Sequence, residues 1–221
     1  MLTIDFHVHS HYSMDCFLPP EKVVALARQN HLDGLAITDH DVWTDPEEFR
    51  RLAPELIIIS GQEISSPCGD ILGLFLKKKI EERRDVRKIL AEIRGQEGLA
   101  VLAHPFKWPH LLRSQEWLKH FDAIEVFNAR NNIPSPFLPN ALARRAARSL
   151  NLPVTAGSDT HEGFEMGCAA TLFDCSRAQA TDAFMKKAIL EKRVTVLAER
   201  EVNLGVEIIS HFSRLIRSRS K

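Results

Sequence analysis

The chain has 221 residues and balances 29 basic against 29 acidic side chains, with 44% of its residues apolar and 26% charged. That length and mixture fit one soluble globular domain with a sizeable core, and the zero net charge argues against a strongly basic nucleic-acid protein while leaving room for a local basic groove. No uncharged apolar run approaches the ~20 residues of a membrane span, and no basic stretch followed by an apolar one marks a signal peptide. The four cysteines, Cys16, Cys68, Cys168 and Cys175, form no Cys-x-x-Cys pair; they suggest neither a zinc ribbon nor a redox motif and fit a reducing cytoplasm.

The first strand is read from Leu2 to about His9. Regular alternation places Leu2, Ile4, Phe6 and Val8 on one face and Asp5, His7 and His9 on the other. An acid and two imidazoles converging on one face suit a divalent ion. The competing reading is a half-buried edge strand whose polar face meets water. Ser10 to Phe17 is a loop holding His11, Ser13 and Asp15, and Pro19-Pro20-Glu21 opens a helix to about Asn30. Gly34 to Thr38 is a buried strand ending in Asp39-His40, and Thr44-Asp45-Pro46-Glu47 caps a second helix. Glu55 to Ser60 is a third strand, running into Gly61-Gln62-Glu63-Ile64, and Asp70 to Phe75 is its hairpin partner.

Lys77 to Arg94 carries Val86, Ile89, Leu90 and Ile93 at helical spacing, and Gly95 and Gly98 punctuate its end. Leu99 to Ala103 is a strand ending in His104-Pro105, and a short helix near Ser114 to Lys119 follows. Ala123 to Phe127 is a strand containing Glu125 and followed by Asn128-Ala129-Arg130. After a proline-rich loop, Asn140 to Leu150 is helical and Pro153 to Ala156 is a strand ending in Gly157-Ser158-Asp159-Thr160-His161. A strand at Ala169 to Phe173, a helix around Ala178 to Glu191 and a strand at Val194 to Leu197 close the regular part, residues 1–200. Residues 201–221 form a basic amphipathic helix, with Val206, Ile209, Phe212, Leu215 and Ile216 on one face, expected to pack on the rest of the domain. Docking on anionic lipid, nucleic acid or a partner is its alternative role.

Short apolar strands alternating with amphipathic helices about seven times imply an α/β fold with a parallel sheet. Ligands gather beyond the carboxyl ends of such strands, where His7, His9, Asp39, His40, Glu63, His104, Glu125, Asp159 and His161 are found. Collecting them on one rim favours a barrel over an open sheet, and no glycine-rich phosphate loop follows the first strand. Each residue alone has an ordinary explanation: a helix cap, a partner for an arginine, a core histidine. Together they would crowd carboxylates on one rim, and metal ions resolve that repulsion. With no thiolate, the set suits zinc, manganese or iron. A catalytic ion takes about three or four protein ligands, so these candidates with Asp15 imply two or three ions, an arrangement suited to phosphate-ester hydrolysis.

Five motifs, Asp5-x-His7-x-His9-Ser10, Thr38-Asp39-His40, Gly61-Gln62-Glu63-Ile64, Ala103-His104-Pro105 and Gly157-Ser158-Asp159-Thr160-His161, stand in an order that resembles the PHP (polymerase and histidinol phosphatase) superfamily of metal-dependent phosphoesterases, over about residues 2–198. The resemblance implies a distorted (β/α)7 barrel with a two- or three-metal cluster on its rim. Carried over, His7, His9, Glu63 and Asp159 hold one ion. Glu63 bridges to a second, shared with His104 and with Glu125, which stands where some relatives have histidine. Asp15, also at a position where some relatives have histidine, holds a third with His40 and His161. Asp5 and Asp39 are read as residues orienting the histidines. Hydroxide generated at the metals then attacks phosphorus.

Arg130 is the preferred phosphate clamp, with Asn128, Lys107 and Arg113 as further substrate contacts. His11 and His110 lie in rim loops within reach of a leaving group. The expected substrate is a small phosphate ester, nucleotides included. A nuclease acting on DNA or RNA ends, a histidinol-phosphate-type phosphatase, an amidohydrolase-like barrel and a metal-binding scaffold without activity are the competing functions.

Overall fold

Residues 1–107, 115–131 and 138–198 are described by the computed structural model. The residues beyond 198, and with them the expected basic helix, lie outside the described residues. The strands are β1 (Leu2–Val8), β2 (Gly34–Ile37), β3 (Ile57–Ile64), β4 (Ile71–Leu74), β5 (Leu99–Leu102), β6 (Ala123–Asn128), β7 (Val154–Gly157), β8 (Ala169–Phe173) and β9 (Val194–Ala198). The α-helices are α1 (Pro20–Gln29), α2 (Pro46–Leu52), α3 (Val86–Gly95), α4 (Gln115–Leu118), α5 (Leu138–Leu150) and α6 (Asp182–Leu190). One sheet runs in the order β7-β6-β5-β4-β3-β2-β1-β8-β9.

The pairs β1–β2, β2–β3, β5–β6 and β6–β7 are parallel, as the alternating pattern requires. The sheet is not parallel throughout. The hairpin strand β4 runs antiparallel to both β3 and β5, and β8 runs antiparallel to β1 and β9. The sheet nearly closes because β7 turns back onto β1. The Asp159 amide donates to the His7 carbonyl at 2.8 Å, and the His9 amide donates to the Thr160 carbonyl at 3.0 Å. On the β8 side, the Thr171 hydroxyl accepts from the Ala156 amide at 2.9 Å.

One apolar cluster draws Leu2, Ile4 and Phe6, Ala36, Ile59, Leu72 and Leu74, Val101, Ala123 and Phe173 from seven strands. It fills the barrel interior, and Met185, Ala188 and Ile189 of α6 belong to the same cluster. Two others lie under the outer helices, one beneath α1 and α2, the other beneath α3 and α5.

The regular alternation expected for β1 does not hold. Asp5 pairs with Leu35 but Val8 pairs with Ile37, so β1 carries one extra residue in that interval. This bulge leaves Phe6 in the interior cluster and sends Val8 to the cluster under α1 and α2. His7 is thereby turned toward the lumen above Phe6.

Two helices start later than their periodicity suggests. α3 begins at Val86, not near Lys77, because Asp85 caps it by accepting from the Arg87 and Lys88 amides. The preceding chain is held as coil by Gln96, whose side-chain oxygen accepts from the Lys77 and Lys78 amides at 2.9 Å, and by Gln62, which brackets Ile80. α6 starts at Asp182 behind its cap Thr181; only a short 3-10 turn at Arg177–Gln179 precedes it. No helix among the described residues is long and apolar enough to cross a membrane.

Candidate metal centre

At the rim where β1, β2, β3 and β5 end, imidazoles and carboxylates face one another at very short range. His7 Nε2 and His9 Nε2 are 3.1 Å apart. Glu63 Oε2 lies 3.3 Å from His7 Nε2, 3.2 Å from His9 Nε2 and 2.9 Å from His40 Nδ1. The other oxygen of Glu63 is 3.0 Å from His104 Nε2. Asp159 Oδ1 stands 3.6 Å from His7 Nε2 and 3.3 Å from His9 Nε2. Asp15 Oδ2 is 3.2 Å from His161 Nε2 and 3.6 Å from His40 Nε2. Among the described residues, four groups bring ligand atoms within 4.8 Å of one another: His9, His40 and His161; His7, His9 and Glu63; His7, His104 and Asp159; and Glu63, Asp70 and His104.

Hydrogen bonds behind the rings fix their orientation. His9 Nδ1 lies 3.0 Å from the Ser13 hydroxyl, which donates to Asp39 Oδ1 and accepts from the His40 amide. Asp39 also accepts from the Ser10 amide and hydroxyl and from the Thr44 hydroxyl. It therefore acts on His9 through Ser13. Asp5 serves the backbone and no imidazole: it accepts from the His7 amide and from the amide and hydroxyl of Ser158. Two rim residues have left-handed backbones, His104 at φ 26° and Asp159 at φ 58°, a conformation stored more often at functional sites than elsewhere.

Glu125 stands behind the rings and belongs to none of the four groups. Its Oε1 is 3.1 Å from His7 Nδ1, and its Oε2 accepts from the His104 amide at 2.7 Å and the Asn128 side chain at 3.0 Å. Glu125 at Nδ1 fixes the His7 ring with its Nε2 directed toward Glu63. Asn128 is fully buried; it donates to Glu125 and, at 3.3 Å, to Asp159, and its oxygen accepts from the Arg130 amide. Arg130 is also largely buried, its Nε 3.1 Å from Glu165 Oε1. Lys107 is partly exposed and reaches within 3.9 Å of Asp159 Oδ2. Arg113 and His110 lie outside the described residues, and His11 is exposed against the Tyr12 ring.

Three contributors have no role that the sequence alone would assign. Ser13 is a single hydroxyl in a polar loop, with no spacing to mark it. Glu165 follows His161 by four residues and accepts from its amide at 2.6 Å, a local cap that only the folded turn reveals. Asp70 sits just before β4, whose reversed direction brings the start of that strand to the rim.

Two atoms test whether this donor set fits a metal. Glu63 Oε2 and His161 Nε2 are buried and make no hydrogen bond of proper geometry. Three imidazole nitrogens crowd the first without bonding to it. Buried polar atoms left so cost about 1–3 kcal/mol each, and divalent ions bound by imidazole and carboxylate would satisfy both.

The PHP domain model matches residues 5–127, and a PHP-associated model matches residues 137–194. The chain belongs to the PHP family. An uncharacterised protein of Methanocaldococcus jannaschii is 29% identical over 199 residues, covering 86% of this chain and 78% of that one. Among solved structures, a two-domain Bacteroides vulgatus protein containing a predicted PHP-like metal-dependent phosphoesterase aligns with a TM-score of 0.70 at 21% identity, over 89% of this chain. This chain spans 64% of the length of that protein. An amidohydrolase from Chromobacterium violaceum aligns with a TM-score of 0.63 at 17% identity, over 90% of this chain and 98% of that one. At such identities these likenesses show the fold alone.

In this PHP domain, the carboxylates and imidazoles tune one another. Burial works against the charged forms of Glu63 and Asp159, but neighbouring histidines, His7 foremost, hold both well below the usual carboxylate range. Burial likewise opposes protonation of His40, yet Glu63 and Asp15 outweigh it and push its pKa up to about 9. His7 is raised for the same kind of reason, Asp159 and Glu63 overcoming burial. His161 goes the other way, to about 3, through burial and the charges of His9 and Arg130. Metal-free protein at neutral pH therefore carries a proton on His40, which an ion taking that ring nitrogen would displace. Titration calorimetry with zinc at pH 7.5, in two buffers of different ionisation enthalpy, is expected to show proton release, with affinity rising as pH approaches 9. Heats independent of the buffer would contradict this account of the rim.

Proposed function

We propose that this chain is a metal-dependent phosphoesterase hydrolysing a small phosphorylated substrate, with nucleotides first among the compounds to test. The observation that carries the reading is the buried Glu63 oxygen, with three imidazole nitrogens within 3.3 Å and no hydrogen bond to any of them. His7, His9, Glu63 and Asp159 would hold one ion, Asp15, His40 and His161 another, and Glu63 with His104 a third between β3 and β5. Such ions supply Lewis acidity, acidifying water and offsetting charge on the phosphoryl group.

The protein's own groups do the rest. Ser13 and Glu125 set the tautomers of His9 and His7 from behind. Asn128 holds Asp159 and Glu125 in register, so its amide is committed to the framework and not to substrate. Lys107, partly exposed beside Asp159, takes the role of phosphate contact in this proposal. Arg130, buried against Glu165, secures the turn that carries His161.

The test is elemental analysis of the purified protein joined to phosphate release from monoesters, diesters and oligonucleotides, with acyl amides as the contrast. We expect two or three equivalents of zinc, manganese or iron and chelator-sensitive release of phosphate from a small monoester or diester. Preference for oligonucleotide ends would move the reading to a nuclease, and amide cleavage to an amidohydrolase. Bound metal with no hydrolysis at all would leave a metal-binding scaffold.

A further inference from the structure

The middle subsite lacks the ligand expected from β6, because both oxygens of Glu125 are occupied by His7, the His104 amide and Asn128. A different carboxylate is aimed at the place. Asp70 Oδ2 is 3.8 Å from His104 Nε2, which is itself 3.0 Å from Glu63 Oε1, and ligand atoms of the three residues lie within 4.8 Å of one another. A separation of 3.8 Å is too long for a hydrogen bond. It suits two atoms sharing an ion, since ligands about 2.1 Å from a common centre stand roughly 3–4 Å apart. Asp70 reaches the rim because the first residue of β4, Ile71, pairs with Ile64 on one side and Leu102 on the other. Its side chain remains 28% exposed, open to an ion arriving from solvent.

We infer that the middle ion is held by Glu63, His104 and Asp70, and that Glu125 is a positioning residue for His7. The inference rests on the metal-dependent reading proposed above and adds a chemical consequence. Two carboxylate oxygens and one imidazole make this subsite harder than its neighbour, where His7 and His9 bring two nitrogens. Harder ions such as manganese are favoured, relative to zinc, at the Asp70 subsite more than at the His7–His9 subsite. The centre is thus built for unlike ions.

The experiment loads metal-free full-length protein with manganese alone or zinc alone, and reads bound equivalents by mass spectrometry and the manganese signal by electron paramagnetic resonance. Asp70→Asn is expected to lose one manganese equivalent while the others, and the Tm of the metal-free protein, stay unchanged. Asp70→His should keep that equivalent but shift its preference toward zinc by roughly tenfold. Glu125→Gln should keep every equivalent, with affinity at the His7 subsite lowered about 10–100-fold. Full stoichiometry with manganese affinity within about twofold of wild type in Asp70→Asn, or loss of the middle equivalent in Glu125→Gln, would overturn the assignment. Wild-type protein that binds the ions but hydrolyses no ester would defeat the proposed function and leave the Asp70 assignment standing on its stoichiometry. Wild-type protein that takes up neither ion would defeat both.

Discussion

Glu63→Gln is expected to lower phosphate release by about 1,000-fold or more, because it removes a charge that several subsites share and each 1.4 kcal/mol of lost stabilisation is about tenfold in rate. One Glu63 oxygen faces three histidines and the other faces His104. Glutamine keeps the shape but replaces one of those oxygens with an NH2 group, which has no lone pair to offer an ion. The fold should survive, since Glu63 contributes to the core through its backbone pairing with Leu72, which the substitution leaves intact. Metal content should fall by more than one equivalent. The measurement is single-turnover phosphate release beside metal analysis, with circular dichroism to establish folding. A folded Glu63→Gln protein with activity within tenfold of wild type would remove Glu63 from the centre of the mechanism.

The second large effect concerns stability. Gly157 ends β7 where it meets β1, and a Cβ added there would stand 2.4 Å from His7 Cβ and 2.7 Å from His7 N. Both obstacles belong to a buried strand, so neither yields as a flexible side-chain tip would. Gly157→Ala should therefore destabilise the protein by about 3 kcal/mol, at the upper end for an overpacked core, lowering Tm by roughly 6–12 °C. Thermal unfolding of metal-free protein reads this directly. A Tm within about 2 °C of wild type would mean that the β7–β1 seam is looser than its hydrogen bonds indicate.

How far the sequence carries the reader depends on which physics wrote each feature. Strand and helix alternation comes from local patterning, so nearly every element is visible in the chain itself. The convergence of His7, His9, His40, Glu63, His104, Asp159 and His161 follows from one topological rule, that parallel strands deliver their ends to one rim. The same rule conceals Asp70, which reaches that rim from the start of a reversed strand. The bulge in β1 is likewise hidden, because strict alternation reads equally well with or without an extra residue. Glu125 and Arg130 illustrate a further limit. Their position at and just past the end of β6 is legible, but the partners that packing gives them, His7 for the carboxylate and Glu165 for the guanidinium, come from parts of the chain far apart in sequence.

The seam between β7 and β1 also dictates when in its history the molecule can acquire its centre. Asp5 and Ser158, joined by hydrogen bonds at that seam, are separated by 153 residues. Closing so long a loop is entropically unfavourable until most other contacts exist. On the ribosome, His7 and His9 emerge first, while Asp159 and His161 follow only after β7 has been made. The early histidines therefore wait, with their strand lacking both β7 and β8 beside it, until the last third of the chain appears. The rim is therefore assembled only after β7 has been made, and a stalled chain that leaves the β1 edge open is prone to wrong pairing.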